Sequence, residues 1–285
     1  MDRLARALDR ALGRVLLDPE DPTALGLARI AIVAVLTLSL LTHVGAVADY
    51  FSEASPLHGQ YARQAFPSRF SLFFYVESAP LVQAIFALGV IAHVLWLVGK
   101  WTTPASIVAW VVWVSMVGRN PLLYSLPDQL QMAIATWLVA MPSGRGLSLD
   151  ARRRGPKPVP VWCRRMIMLQ LAVMYTATGL LKHGKTWHAD GTALYYALGN
   201  PYNRHFDVPQ LLATLQPWVL RPMTWMVLTF EIGFSVFVAI VALRELLGRP
   251  RRFPDLRPIV LGFGVLMHIG IQSMMYVAWF SPLVL

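Results

Sequence analysis

Residues 161–191 read VWCRRMIMLQLAVMYTATGLLKHGKTWHADG. Two arginines open the stretch, a mostly apolar run follows, and Lys182 stands where that run gives way to a polar, aromatic-rich segment. A run of roughly 20 apolar residues matches the ~30 Å hydrocarbon layer of a bilayer. The stretch therefore reads as a transmembrane helix. Its far end poses a question, because a terminal lysine either snorkels to the headgroups or is held there for chemistry.

The rest of the chain has the same solvent. Hydrophobic residues make up 56% of the 285 positions and charged residues 14%, with ten Trp; a soluble chain carries about a quarter charged residues. The fold class expected is all-α, a polytopic transmembrane bundle forming one domain over 1–285. Seven spans are expected, at about 24–46, 79–99, 103–118, 128–142, 161–182, 222–243 and 258–280. The intervening outer loops 47–78 and 183–221 are long enough to cover a site.

Lys and Arg then fall into an alternating pattern. One side receives Arg3, Arg6, Arg10, Arg14, Lys100, the run Arg145 to Arg165 and the run Arg244 to Arg257. The other receives Arg63, Arg69, Arg119, Lys182, Lys185, Arg204 and Arg221. The positive-inside rule makes the richer side cytoplasmic, so the expected orientation is amino end in, carboxyl end out, and Lys182 faces outward. A bacterial inner membrane is the expected location. Residues 1–18 plot as an amphipathic helix, with arginines opposite Leu4, Leu8, Leu12, Val15 and Leu16, resting on the inner leaflet. The net charge of +10 sits in these loops and implies anionic lipid rather than nucleic acid as its partner.

Familiar soluble chemistries are missing from the sequence. A single cysteine, Cys163, excludes an internal disulfide and a CxxC site. There is no Walker loop, dinucleotide glycine pattern, HExxH or GxSxG. His183, His188, Asp190 and His205 carry metal-ligand chemistry on the outer side, but the five-residue gap between the first two suits no standard site, so no metal is expected.

Polar residues inside the spans are more informative, since charges at bilayer depth are costly and usually face the bundle interior. Tyr175, Thr178 and Lys182 fall at i, i+3 and i+7, with Gly179 permitting close approach. Glu231 lies near mid-depth of the sixth span, one turn before Ser235, and needs a partner; Arg29 of the first span is a candidate. His268, Gln272 and Tyr276 form an i, i+4, i+8 stripe on the seventh. Three late helices with polar stripes imply an outward-opening cavity. Lys185 is better placed than Lys182 to snorkel, and His93 reads as structural.

The stretch YTATGLLKHGKTWHADGTAL resembles the membrane domain of vitamin K-dependent gamma-carboxylases and the broader HTTM family of bacterial membrane proteins grouped with them. The shared pattern is a tyrosine, small residues, glycine, a lysine three residues on, a tryptophan and an acidic-Gly pair. Tyr175, Gly179, Lys182, Trp187, Asp190 and Gly191 occupy those places. The resemblance extends to Arg29 in LARIAI, the segment RNPLLYSLPDQL, Glu231 in LTFEIGF and His268 in LMHIGIQSMMY.

That resemblance implies Lys182 as the base that deprotonates a reduced quinone of vitamin K or menaquinol type, assisted by His268. Oxygen and carbon dioxide are then co-substrates of epoxidation and glutamate carboxylation. Tyr175, Thr178, Trp187, Glu231, Gln272 and Tyr276 become quinone- or substrate-binding candidates, and Arg29, Asp190, Gly179 and Gly191 structural ones. The animal carboxylases also carry a large lumenal substrate-binding domain, whereas this chain ends at Leu285, so the acceptor is left open. Two other classes stay open too: a non-catalytic accessory for an exported peptide or protein, and a proton-coupled transporter using Glu231 and His268.

Overall fold

The computed structural model describes residues 13–247 and 256–277. The expected amphipathic helix therefore lies mostly outside the described residues; what is described of it is a helical turn at Gly13–Leu17. The chain is all-α and mostly helical. Two strands among the described residues, β1 (Pro19–Glu20) and β2 (Val159–Pro160), form one short antiparallel clasp. Contacts divide the chain into two compact units, one of residues 15–164 and one containing 165–285.

In the first unit, α1 (Thr23–Leu41) is followed by two short helices, α2 (Val47–Phe51) and α3 (Gly59–Ala65). Then come α4 (Ala79–Val98), α5 (Thr102–Arg119), α6 (Leu126–Ala140) and the short α7 (Leu149–Arg154). Helix α4 packs on α1 and α5, and α6 closes the ring by packing on α5 and α1. Leu36, Leu40, Trp96, Trp113, Met116, Ile134 and Leu138 fill its centre. Local chemistry sets the helix ends. Gly99, at φ +70°, ends α4, and the Lys100 N–H reaches back to the Leu95 carbonyl, a Schellman-type stop. Ser125 and Asp128 form a capping box at the start of α6, with Pro127 in its first turn.

In the second unit, α8 (Trp162–Leu181) enters from the end of the first. It leads to α9 (Lys185–His188), α10 (Ala193–Gly199), α11 (Pro209–Leu215), α12 (Arg221–Leu247) and α13 (Arg257–Met274). A π-type turn at Gln216–Leu220 joins α11 to α12 without a break. The sixth helix thus begins at Pro209, not near residue 222, and much of the expected outer loop 183–221 is helical. The cause is local: Pro217 and Pro222 lack an amide donor and disturb the i→i−4 ladder, and the wider turn absorbs the fault instead of ending the helix.

Three helical runs among the described residues are long and apolar enough to cross a membrane: Thr23–Leu41, Ala79–Val98 and Pro209–Arg244. Helices α5, α6, α8 and α13 occupy the other expected positions, with α6 short at 15 residues.

Candidate functional site

The site grows from one close approach. Gly179 of α8 is buried against α12, and a Cβ there would lie 2.8 Å from Ile232 Cγ1 and 3.1 Å from Glu231 Cβ. One turn on, just past the end of α8, the Lys182 amine pairs with the Glu231 carboxylate. The two side chains are 22% and 10% exposed. The ammonium also lies 5.0 Å from the centre of the Trp187 ring, within cation–π range. His188 Nε2 lies 2.9 Å from the Lys182 carbonyl oxygen. Lys182 therefore turns inward to a carboxylate and an aromatic face, while Lys185 is exposed.

A second pair lies deeper on the same face of α8. Tyr175 is buried, and its hydroxyl is 2.6 Å from His268 Nε2 on α13. Its ring packs edge-on to Phe230 at 5.4 Å and tilted to Phe234 at 4.9 Å, both from α12. Phe263 of α13 completes the aromatic wall, 5.3 Å from Phe230. Gln272, one turn beyond His268, has a buried Oε1 with no hydrogen-bond partner among the described residues.

The structure thus brings together Tyr175, Gly179, Lys182, Trp187, Glu231 and His268. Three expectations change. Glu231 pairs with Lys182; Arg29, in the first unit, instead donates to the carbonyls of Ser143, Gly146 and Leu147. Thr178 bonds back to the Tyr175 carbonyl of its own helix at 2.9 Å, so its hydroxyl is occupied locally. Tyr276 leaves the His268 stripe, because α13 ends at Met274 and the backbone turns extended. Its N–H donates to the Asn203 carbonyl at 2.6 Å, and its exposed ring abuts His205. Glu231 itself lies beside Gly179 in the last turn of α8.

Thr176 escaped the sequence reading. Its hydroxyl bonds Ser235, which also donates to the Ala172 carbonyl at 3.1 Å. The signal was present, since 172, 176 and 179 share a helix face with 175. The remaining residues of the motif are architectural. Gly191 is at φ +62° with Arg221 and Trp225 against it. Asp190 contributes its carbonyl, which accepts from Arg221 Nε at 2.9 Å. His183 and His188 are exposed, and no group of three or more His, Cys, Asp or Glu among the described residues is arranged to hold a metal ion.

A family model of the HTTM domain matches residues 17–250. The chain belongs to the HTTM family. No curated protein and no solved structure matches it. Membership accords with the apolar helices, and this HTTM chain is an all-α membrane protein.

Proposed function

We propose that this HTTM protein is a membrane enzyme that deprotonates a hydroxyl of a reduced quinone, with Lys182 as base and Glu231 as its proton partner. The observation that carries this reading is the inward pairing of Lys182 with Glu231. A lysine that only anchors a helix reaches outward to water and headgroups. A coupled amine and carboxylate with little water can hold a proton on either member. When the proton rests on Glu231, the Lys182 amine is free to take one from a hydroxyl, leaving the electron pair on the substrate oxygen. His268, held by Tyr175, stands on the same side to orient or relay.

The residues present fit such a ligand. The orphaned Gln272 Oε1 is an acceptor for a hydroxyl, since a buried acceptor without a partner costs about 1–3 kcal/mol. Phe230, Phe234 and Tyr175 supply an apolar wall. A reduced quinone, when bound, would supply the electrons for epoxidation- or carboxylation-type chemistry with oxygen and carbon dioxide. The acceptor would be an exported peptide or protein.

The test is quinol-dependent oxygen uptake by purified protein. Lys182→Arg should lower it about 100-fold or more, the range of a lost general base, because guanidinium stays protonated. Lys185→Arg should match wild type. Full turnover in Lys182→Arg ends the catalytic reading.

One observation favours a second reading: Lys182 with Glu231 and Tyr175 with His268 satisfy one another, as helix braces do. A non-catalytic accessory would co-purify with a peptide and consume no oxygen, and a proton-coupled transporter would give solute flux in liposomes. The same proposal takes seven spans with the amino end cytoplasmic, in a bacterial inner membrane. Reporter fusions after Gly155 should read inside and after Asn203 outside; an external signal at Gly155 discards the outward-facing site.

A further inference from the structure

A cavity of about 1130 Å³ is lined by residues of the first unit. Its wall includes Thr23, the first residue of α1, and Val98, the last of α4. Both helices are apolar enough to cross a membrane, so the cavity sits at a membrane boundary, on the side of the basic 145–165 segment. Its lining combines apolar and basic side chains. Ile30, Val98, Leu147 and Leu149 form an apolar wall of partly exposed side chains. Arg152 and Lys157 line it as well.

Among the described residues, neither acid on the wall forms an ion pair with those cations. Glu20 is taken by Arg164 at 2.8 Å, and Asp21 accepts the Thr23 N–H at 2.8 Å. Among the described residues, Arg152 and Lys157 make no ion pair. We propose that this cavity binds an anionic phospholipid, its phosphate between Arg152 and Lys157 and its upper acyl chain along Ile30, Val98, Leu147 and Leu149. Charge and apolarity side by side at a membrane boundary match the two halves of that ligand. The volume exceeds the ~300–1,000 Å³ of ordinary small-molecule sites, and a free phosphate would leave the apolar wall wet. Attraction of basic loops to a charged leaflet is general; a walled site with a specific arginine is a narrower claim.

Native mass spectrometry of the full chain in mild detergent tests it, with phosphatidylglycerol and phosphatidylcholine offered in equal amounts. Phosphatidylglycerol should be retained preferentially. Arg152→Gln should weaken retention about five-fold, the worth of one basic contact near a membrane, while the neighbouring Arg153→Gln, which removes the same charge off the cavity wall, should not. Ile30→Trp should also expel the lipid, by filling the apolar side without touching charge. Equal retention of the two lipids overturns the proposal. Equal losses in Arg152→Gln and Arg153→Gln reduce it to diffuse surface attraction and overturn the site. Displacement by sn-glycerol 3-phosphate would make it a soluble phosphate-ester site instead.

Discussion

Arg29, on the apolar helix α1, and Lys182, just past the end of α8, are both cations, and the chain treats them in opposite ways. Arg29 is 0% exposed, and its guanidinium donates to three backbone carbonyls, at 2.8 Å to Ser143, 3.4 Å to Gly146 and 2.7 Å to Leu147. Carbonyls take up no proton at biological pH, so that contact is a rivet between α1 and the turn after α6. Lys182 keeps part of its surface open and faces Glu231, a group that does exchange protons. The difference separates architecture from chemistry better than burial does. A buried cation on fixed dipoles holds a fold, whereas a half-buried cation on a carboxylate can change state.

The first way to break this contrast is Arg29→Met. It leaves the carbonyls of Ser143, Gly146 and Leu147 without their donor, at about 1–3 kcal/mol for each buried orphan. A loss of about 3 kcal/mol or more should appear in thermal unfolding. Wild-type stability in this variant would remove Arg29 from the architectural side.

Gly179→Val attacks the other member indirectly. The added methyls meet Ile232 and Glu231, and overpacking of this kind costs about 1–3 kcal/mol. Because the helices must part beside the Lys182–Glu231 pair, oxygen uptake should fall more than stability does. Equal loss in both would make the pair incidental to function.

A smaller effect sharpens the fixed side. Asp150 is held below the usual carboxylate range: its partial burial opposes the charge, but the N–H and hydroxyl of Thr102, the Trp101 N–H and the nearby Arg154 outweigh that. A depressed folded value means the stabilisation is present above the unfolded pKa near 4 and is lost as pH falls through the folded value. Asp150→Asn should cost about 1 kcal/mol at neutral pH, as a lost helix cap does. The gap to wild type should close on acidification below pH 4. A gap that stays constant would assign the cost to geometry alone.

Thr178→Val should do least, within about 0.5 kcal/mol, because the hydroxyl serves only the Tyr175 carbonyl. A large fall in quinol affinity would return Thr178 to the site.

Much of the α8 side was legible. Helical spacing placed Tyr175, Gly179 and Lys182 on one face, and the cost of a charge in lipid demanded a partner for Glu231. The partner itself was not legible, because depth was counted from a helix start near 222. The two prolines of QPWVLRP read as a loop, while the chain passes them in a π-type turn. Tyr276 failed for a different reason. Its place is set by backbone pairing with residues 203–205, and no local period announces a partner some 70 residues away in sequence. The Arg29 carbonyl clamp is likewise non-local, drawn from a turn more than 100 residues on.

The unbroken run from Pro209 to Arg244 has a mechanical consequence. Its 36 residues, at about 1.5 Å each, make a rod of about 54 Å, against a hydrocarbon layer of ~30 Å. Its Pro209 end lies roughly 33 Å along the axis from Glu231. Between that end and the carboxylate that holds Lys182 lie two prolines and the widened turn at Gln216–Leu220. Prolines and π-type turns are where helices bend, so that turn is the point at which so long a helix can change direction.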